Sequence, residues 1–256
     1  AASPANSMPP LAEGLPLIGQ PARDLPISAS DWGSIGLLQT PTARLGQAGR
    51  VSASVSHVSP YTRFGAMLQP FDWLEAGFLY TDISNRLYGP EIAGDQSAKD
   101  KQVDVKVRVL RETELLPDLA VGARDIGGTG LFSGEYVVAN KRFGDFDISL
   151  GLGWGYVGGR GNLKNPLSIF GSKFDTRPPP QVGQGGEFNT GTYFRGPTAL
   201  FGGVQYHTPW PRWVVKAELD GNNYQHEPYQ NNQEQKTPLN VGVVYQGDWA
   251  DVSFGY

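Results

Sequence analysis

The stretch Asp145–Tyr156, DFDISLGLGWGY, puts Phe146, Ile148, Leu150, Leu152, Trp154 and Tyr156 on even positions and Asp145, Asp147, Ser149 and three glycines on odd ones. Side chains of a β-strand alternate between two faces. One face is therefore wholly apolar and ends in aromatics, while the other is polar or bare. A helix cannot sort these residues in that way. The pattern fits a half-buried strand of a soluble sandwich or a wall strand of a membrane barrel, and its recurrence along the chain discriminates the two.

It recurs about eleven times. Val51, Ala53 and Val55 oppose serines; Phe64, Ala66 and Leu68 oppose Arg63 and Gln69; Leu74, Ala76, Phe78 and Tyr80 oppose Glu75. Val103, Val105, Val107 and Val109 oppose Asp104, Lys106 and Arg108; Leu119, Val121 and Ala123 oppose Asp118 and Arg124; Phe132, Tyr136 and Val138 oppose Glu135 and Lys141. After a long interruption come Leu200, Val204 and Tyr206; then Trp213, Val215, Ala217 and Leu219 opposite Lys216 and Glu218; and finally segments beginning at Leu239 and Ala250. A shorter apolar strand is expected at Gly36–Ala43, stopped by Pro41.

Connections alternate in length. Short ones fall near residues 70–72, 112–117, 142–144, 209–211 and 247–248, and long ones at 83–100, 158–197 and 221–237, with exceptions near 59–60 and 126–130. Phe71, Trp73, Phe143, Trp210, Trp213 and Trp249 gather at the short turns. Membrane barrels have short turns on one side, longer loops on the other and aromatic girdles at the interfaces. A ten-residue strand rises about 34 Å and, tilted by ~40°, spans about 26 Å, close to the apolar band of such barrels. The usual strand of a soluble sheet has only about five or six residues.

The expectation is an all-β protein: an antiparallel transmembrane β-barrel of about 11–12 strands, part of a longer protein. Residues 1–33, with Pro4, Pro9, Pro10, Pro16, Pro21 and Pro26, read as an extended leader lying along or inside the barrel, because proline removes backbone donors and breaks regular structure. Residues 34–256 form the barrel. Single-chain bacterial barrels have even strand numbers, so a count of eleven implies either that Gly36–Thr40 pairs into the sheet or, the favoured reading, that a closing strand follows Tyr256. The start at Ala1, in AASPANS, reads as a mature end left by a cleaved signal peptide.

Composition removes several functions. No run of about 18 apolar residues exists, which excludes a membrane-spanning helix. There are no cysteines, hence no disulfide framework, thiolate metal site or N-terminal lipidated cysteine within this sequence. The net charge of −4, without a basic tract, disfavours nucleic acid as a partner. His57, His207 and His226 lack metal-ligand spacing. Gly158-Gly159-Arg160-Gly161-Asn162 lacks the ending of a phosphate loop. Asp220-Gly221-Asn222-Asn223 reads as a turn rather than a calcium loop. No catalytic motif emerges, so no enzyme and no cofactor are expected.

The polar strand face carries Arg63, Glu75, Asp104, Lys106, Arg108, Arg124, Glu135, Lys141, Lys216 and Glu218 as candidate lumen-lining residues. Their mixed sign favours ion pairs that fill a closed interior over a charge-selective conduit. The segment from Gly158 to Gly196 is long for a structureless connection. Its Phe170, Phe174, Tyr193 and Phe194 are candidates for contact with sugar rings.

Several stretches resemble the YjbH family of outer-membrane exopolysaccharide biosynthesis proteins, which includes GfcD-like members. They are Trp32-Gly33 through Gly36-Leu37-Leu38-Gln39-Thr40-Pro41-Thr42-Ala43; Gly151-Leu152-Gly153-Trp154-Gly155 leading into Gly161-Asn162; Phe188; and the hairpin from Phe201-Gly202-Gly203-Val204-Gln205-Tyr206 through Lys216-Ala217-Glu218-Leu219-Asp220-Gly221-Asn222. The similarity runs from about residue 30 and implies a barrel in the bacterial outer membrane, made with capsule or exopolysaccharide. It implies membrane lipid, exopolysaccharide and periplasmic polysaccharide-export proteins as partners. Polymer conduit and docking scaffold are the two roles it suggests; a glycan-binding surface protein and a general diffusion porin are the alternatives. The family supplies no catalytic residues, and several members are lipoproteins, from which the absence of cysteine departs.

Overall fold

The computed structural model describes residues 26–179, 190–233 and 235–256. Residues 1–25 of the expected leader, together with Pro180 and Phe188, lie outside the described residues. Eleven antiparallel strands form one sheet in sequence order: β1 (Arg50–Val58), β2 (Tyr61–Phe71), β3 (Leu74–Leu87), β4 (Ser97–Leu110), β5 (Asp118–Arg124), β6 (Gly134–Phe143), β7 (Phe146–Trp154), β8 (Thr198–His207), β9 (Trp213–Leu219), β10 (Leu239–Gln246) and β11 (Asp251–Gly255). Every strand pairs with its chain neighbour, so each connection is a hairpin. One single-turn helix, α1 (Pro90–Ala93), lies between β3 and β4. No described helix is long and apolar enough to cross a membrane.

The expected barrel is corrected in one respect. The sheet does not close: no ladder joins β1 to β11 among the described residues. The sheet is nevertheless rolled, because its first and last strands both touch the segment 26–45. Ser56 of β1 donates to the Asp31 carbonyl at 2.6 Å, and Leu38 lies against Gly255 of β11.

The two faces of the sheet are inverted relative to a soluble protein. The outer face exposes Val51, Val55, Phe64, Leu68, Phe78, Ile148, Leu150, Leu200, Val215 and Val241, with Val51 at 71% and Leu150 at 62%. The inner face buries Arg63, Glu75, Lys106, Arg124, Asp147, Lys216 and Glu218. An exposed apolar surface of this extent marks an interaction face rather than ordinary surface. At the short-connection end, exposed aromatics ring the sheet: Phe71 stacks on Trp73, Phe146 on Tyr206, and Trp210, Trp213 and Trp249 stand nearby in sequence.

The interior is polar at one level and apolar at another. Trp32, Tyr61, Met67, Leu79, Ile83, Ala98 and Phe132 form a core cluster, with Leu131 and Tyr156 packed against it. A second apolar cluster, of Ala43, Ala120, Tyr136, Val138, Val157 and Phe201, explains a second correction. Tyr136 and Val138 of β6 point inward, not outward, because they share their side with Asn140. Ala123 pairs with Glu135 and Ile148 with Lys141, so Glu135 and Lys141 take the outward register. Gly36–Ala43, expected as a strand, makes only the isolated bridge Gly36–Pro41.

Candidate functional site: a polar interior filled by an inner segment

A backbone passing through a sheet interior has no ladder to satisfy its N–H and C=O groups, and buried groups of this kind need partners. Here the partners are the charged residues of the inner face. Glu218 of β9, 1% exposed, accepts from the backbone N–H groups of Leu38 at 2.9 Å, Gln39 at 2.8 Å and Thr40 at 3.1 Å, from the Thr40 hydroxyl at 2.8 Å and from Asn240 Nδ2 at 2.9 Å. Two residues earlier on the same face, Lys216 donates to the carbonyls of Gly36 and Leu37, both at 2.8 Å, and of Ala29 at 3.2 Å. The acid thus holds the donors of the 36–40 bend and the ammonium holds its acceptors.

The other strands complete the fit. Lys106 of β4 donates to Ile35 O at 2.9 Å and pairs with Glu75, its cross-strand neighbour, at 2.9 Å. Arg124 of β5 donates to Gln39 O at 2.7 Å, and Asn140 of β6 accepts from Ala43 N at 2.7 Å. Gln205 of β8 and Gln246 of β10 reach Pro26 O and Ile27 O. The guanidinium carbons of Arg63 and Arg124 lie 4.1 and 4.4 Å from the Trp32 ring, at the distance of a cation–π contact. Glycines make room: a Cβ at Gly203 or Gly242 would meet Leu37 or Leu38 at 2.8 and 2.7 Å.

Arg44 fixes the point where the segment leaves the interior. Its guanidinium binds both Asp147 oxygens at 2.8 Å, Asp118 at 2.7 Å and Glu112 at 2.7 Å. All four side chains are buried.

Of the ten candidate lumen residues, Arg63, Glu75, Asp104, Lys106, Arg124, Lys216 and Glu218 are buried on the inner face, and Arg108 lies part-buried on that face toward the short-connection end. Most of them do not line open water; they grip residues 26–45. Glu135 accepts a bidentate pair from Arg177 at 2.8 Å and the Phe194 N–H at 2.7 Å, tying the long β7–β8 connection over one end of the sheet. Lys141 donates to backbone carbonyls of the 113–116 turn.

The four aromatic candidates are not brought into one face by any recorded contact between them. Phe194 packs edge-on against Trp154, and the Tyr193 hydroxyl donates to Ile126 O. Asn165 joins the connection's parts, accepting from Trp154 Nε1 at 3.0 Å and donating to Phe174 O and Phe194 O. Phe170 is 72% exposed. The described parts of the connection therefore form a folded cap, with 3₁₀ turns at Pro166–Phe170 and Ser172–Phe174. Asp220 accepts from Asn222 N, which makes the expected turn an Asx turn.

Sequence reasoning placed a leader of residues 1–33 along or inside the barrel, but it missed Arg44, Asp147 and the grip of the inner face on residues 34–45. The signal was available in the excess of charges on one strand face over cross-strand partners: Lys216 and Glu218 pair with Gly242 and Asn240 on one side and with Gln205 and Gly203 on the other.

At the long-connection end Asp125 is buried beside Asp100 and Asp104. Burial first, and the neighbouring carboxylates next, push its pKa up to about 8, against the hydrogen bond from Phe132 N. The folded protein then holds a proton that the unfolded chain releases near pH 4, so its stability falls as pH rises from about 4 to 8. Asp125→Asn keeps the acceptor for Phe132 N and is expected to flatten this fall, read from unfolding midpoints in detergent at pH 5 and pH 8. Among the described residues, no three His, Asp or Glu side chains are arranged to hold a metal ion.

The rolled antiparallel sheet with a charged interior defines an all-β class by architecture, and comparison gives the family. The profile described as "Exopolysaccharide biosynthesis protein YbjH" matches residues 28–256, and the chain belongs to this YjbH family. It is 47% identical over 232 residues to a protein of Escherichia coli (strain K12) named "Uncharacterized lipoprotein YjbH". That match covers 90% of this chain and 33% of the relative, so the chain spans about a third of the curated relative's length. No solved structure matches.

Proposed function

We propose that this chain is the barrel part of an outer-membrane protein that serves exopolysaccharide assembly or export, exported to the envelope with a cleaved signal peptide. The observation that carries the reading is the inversion of faces: valine, leucine and phenylalanine outside, paired charge inside. Lipid accepts the first arrangement and water does not. The exposed aromatics at the short connections fit an interfacial girdle. The free edges of β1 and β11 are the place where one further strand would complete an even count of twelve.

The filled interior favours a docking scaffold, or a conduit that opens only when residues 26–45 move, over a general diffusion porin. Membrane lipid, exopolysaccharide and periplasmic export proteins are the partners this reading supplies. Deleting the gene is expected to lower cell-surface polysaccharide, measured by uronic-acid and total-sugar assay of washed cells. Unchanged polysaccharide, together with loss of small-solute uptake, would turn the reading to a porin.

A further inference from the structure

A cavity of about 750 Å³ opens at the short-connection end, beneath the inner segment. Its wall contains both stalks of that segment, at Pro26–Ile27 and Arg44–Gln47, together with parts of the β2–β3 and β4–β5 connections and the end of β6 at Arg142. This volume lies in the range of small-molecule binding pockets. Five arginines face three carboxylates around it.

The positive surplus is not spread evenly. Arg44 is held by Asp147, Asp118 and Glu112 and is committed to the fold. Arg111 is 70% exposed and meets Asp72 only at 3.9 Å, while Arg50 is exposed and interacts electrostatically with Asp251 of β11. Arg108 donates one Nη to the Asp72 carbonyl at 3.1 Å and lies 3.8 Å from Asp118. Arg50, Arg108 and Arg111 therefore offer guanidinium donors that the protein itself uses only in part. Guanidinium forks match carboxylate and phosphate oxygens.

We propose that this vestibule binds an acidic saccharide, with Arg50 and Arg111 taking its carboxylate or phosphate groups and Arg108 forming the inner wall. The proposal rests on the exopolysaccharide reading above and adds the chemical class of the polymer. A saccharide chain held there abuts both stalks of the inner segment, which fills the interior among the described residues.

The test is isothermal titration of the full-length protein in detergent with three probes: trigalacturonate, maltotriose and inorganic phosphate. Trigalacturonate is expected to bind, with affinity falling at least tenfold between 50 and 300 mM salt, as ion pairing requires. The doubly substituted R50Q/R111Q protein, altered only at exposed side chains, is expected to bind it at least tenfold more weakly. Its unheated gel mobility reports that the fold is kept. Equal affinity for maltotriose would overturn the charge assignment, and phosphate binding as tightly as trigalacturonate would overturn the saccharide assignment. Unaltered binding by R50Q/R111Q would overturn the site. Each of these outcomes leaves the polysaccharide phenotype of the gene deletion, and so the parent reading, separately decided.

Discussion

Glu218→Ala is expected to release the inner segment and to destabilise the protein by roughly 4 kcal/mol, in the range for breaking a buried charged network. The carboxylate accepts from five donors, three of them backbone N–H groups at residues 38–40. Alanine leaves these donors in a site with no other acceptor recorded for the backbone three, and each buried orphan costs about 1–3 kcal/mol, not additively. It also strips Lys216 of its nearest acid. Glu218→Gln retains one acceptor oxygen and is expected to lose about half as much. The local readout is amide hydrogen exchange: residues 37–40 should lose protection in the alanine variant while strands β6–β8 keep theirs. Unchanged protection at residues 37–40 would mean that Glu218 does not hold the segment.

Arg44→Met carries the second large effect. Methionine matches the length of the arginine stem but leaves Asp147, Asp118 and Glu112 buried together without their shared cation. Removing one partner from such a cluster costs roughly 3–5 kcal/mol. Adding Asp147→Asn removes one of the repelling charges and should recover part of the loss, a non-additivity expected of residues in contact. Urea unfolding of the three proteins measures these differences. A single-variant loss below about 1 kcal/mol would show that the cluster contributes little.

The strands were legible because alternation is local. Asp147, Ser149 and Gly151 against Ile148, Leu150 and Leu152 specify a face without reference to any other part of the chain. The hairpin order followed from connection lengths. The face of β6 was not legible from Phe132, Tyr136 and Val138 alone. Behind β6 the interior holds an apolar cluster of Ala43, Ala120, Tyr136, Val138, Val157 and Phe201, so apolar residues point inward there and outward elsewhere. Asn140, in step with Tyr136 and Val138, was the contrary signal. The inner segment was harder still. Its turn at Gly36–Thr40 has no periodicity, and its partners Lys216 and Glu218 lie about 180 residues away in sequence. What the sequence did carry was an excess of inner-face charge without opposite charge across the strand, and that excess is what a buried backbone consumes. The open seam between β1 and β11 among the described residues departs from the closed barrel that alternation alone suggests.

The central claim is that the apolar face meets lipid while the charged face grips a backbone segment. Gel mobility of the detergent-extracted full-length protein, with and without boiling, tests it most directly. A sheet rolled around a filled polar interior, with its apolar face in detergent, should resist unheated dodecyl sulfate and migrate apart from the boiled form. Identical mobility of the two samples, from a protein that stays folded in buffer without detergent, would contradict the account and return the sheet to a water-soluble β-protein.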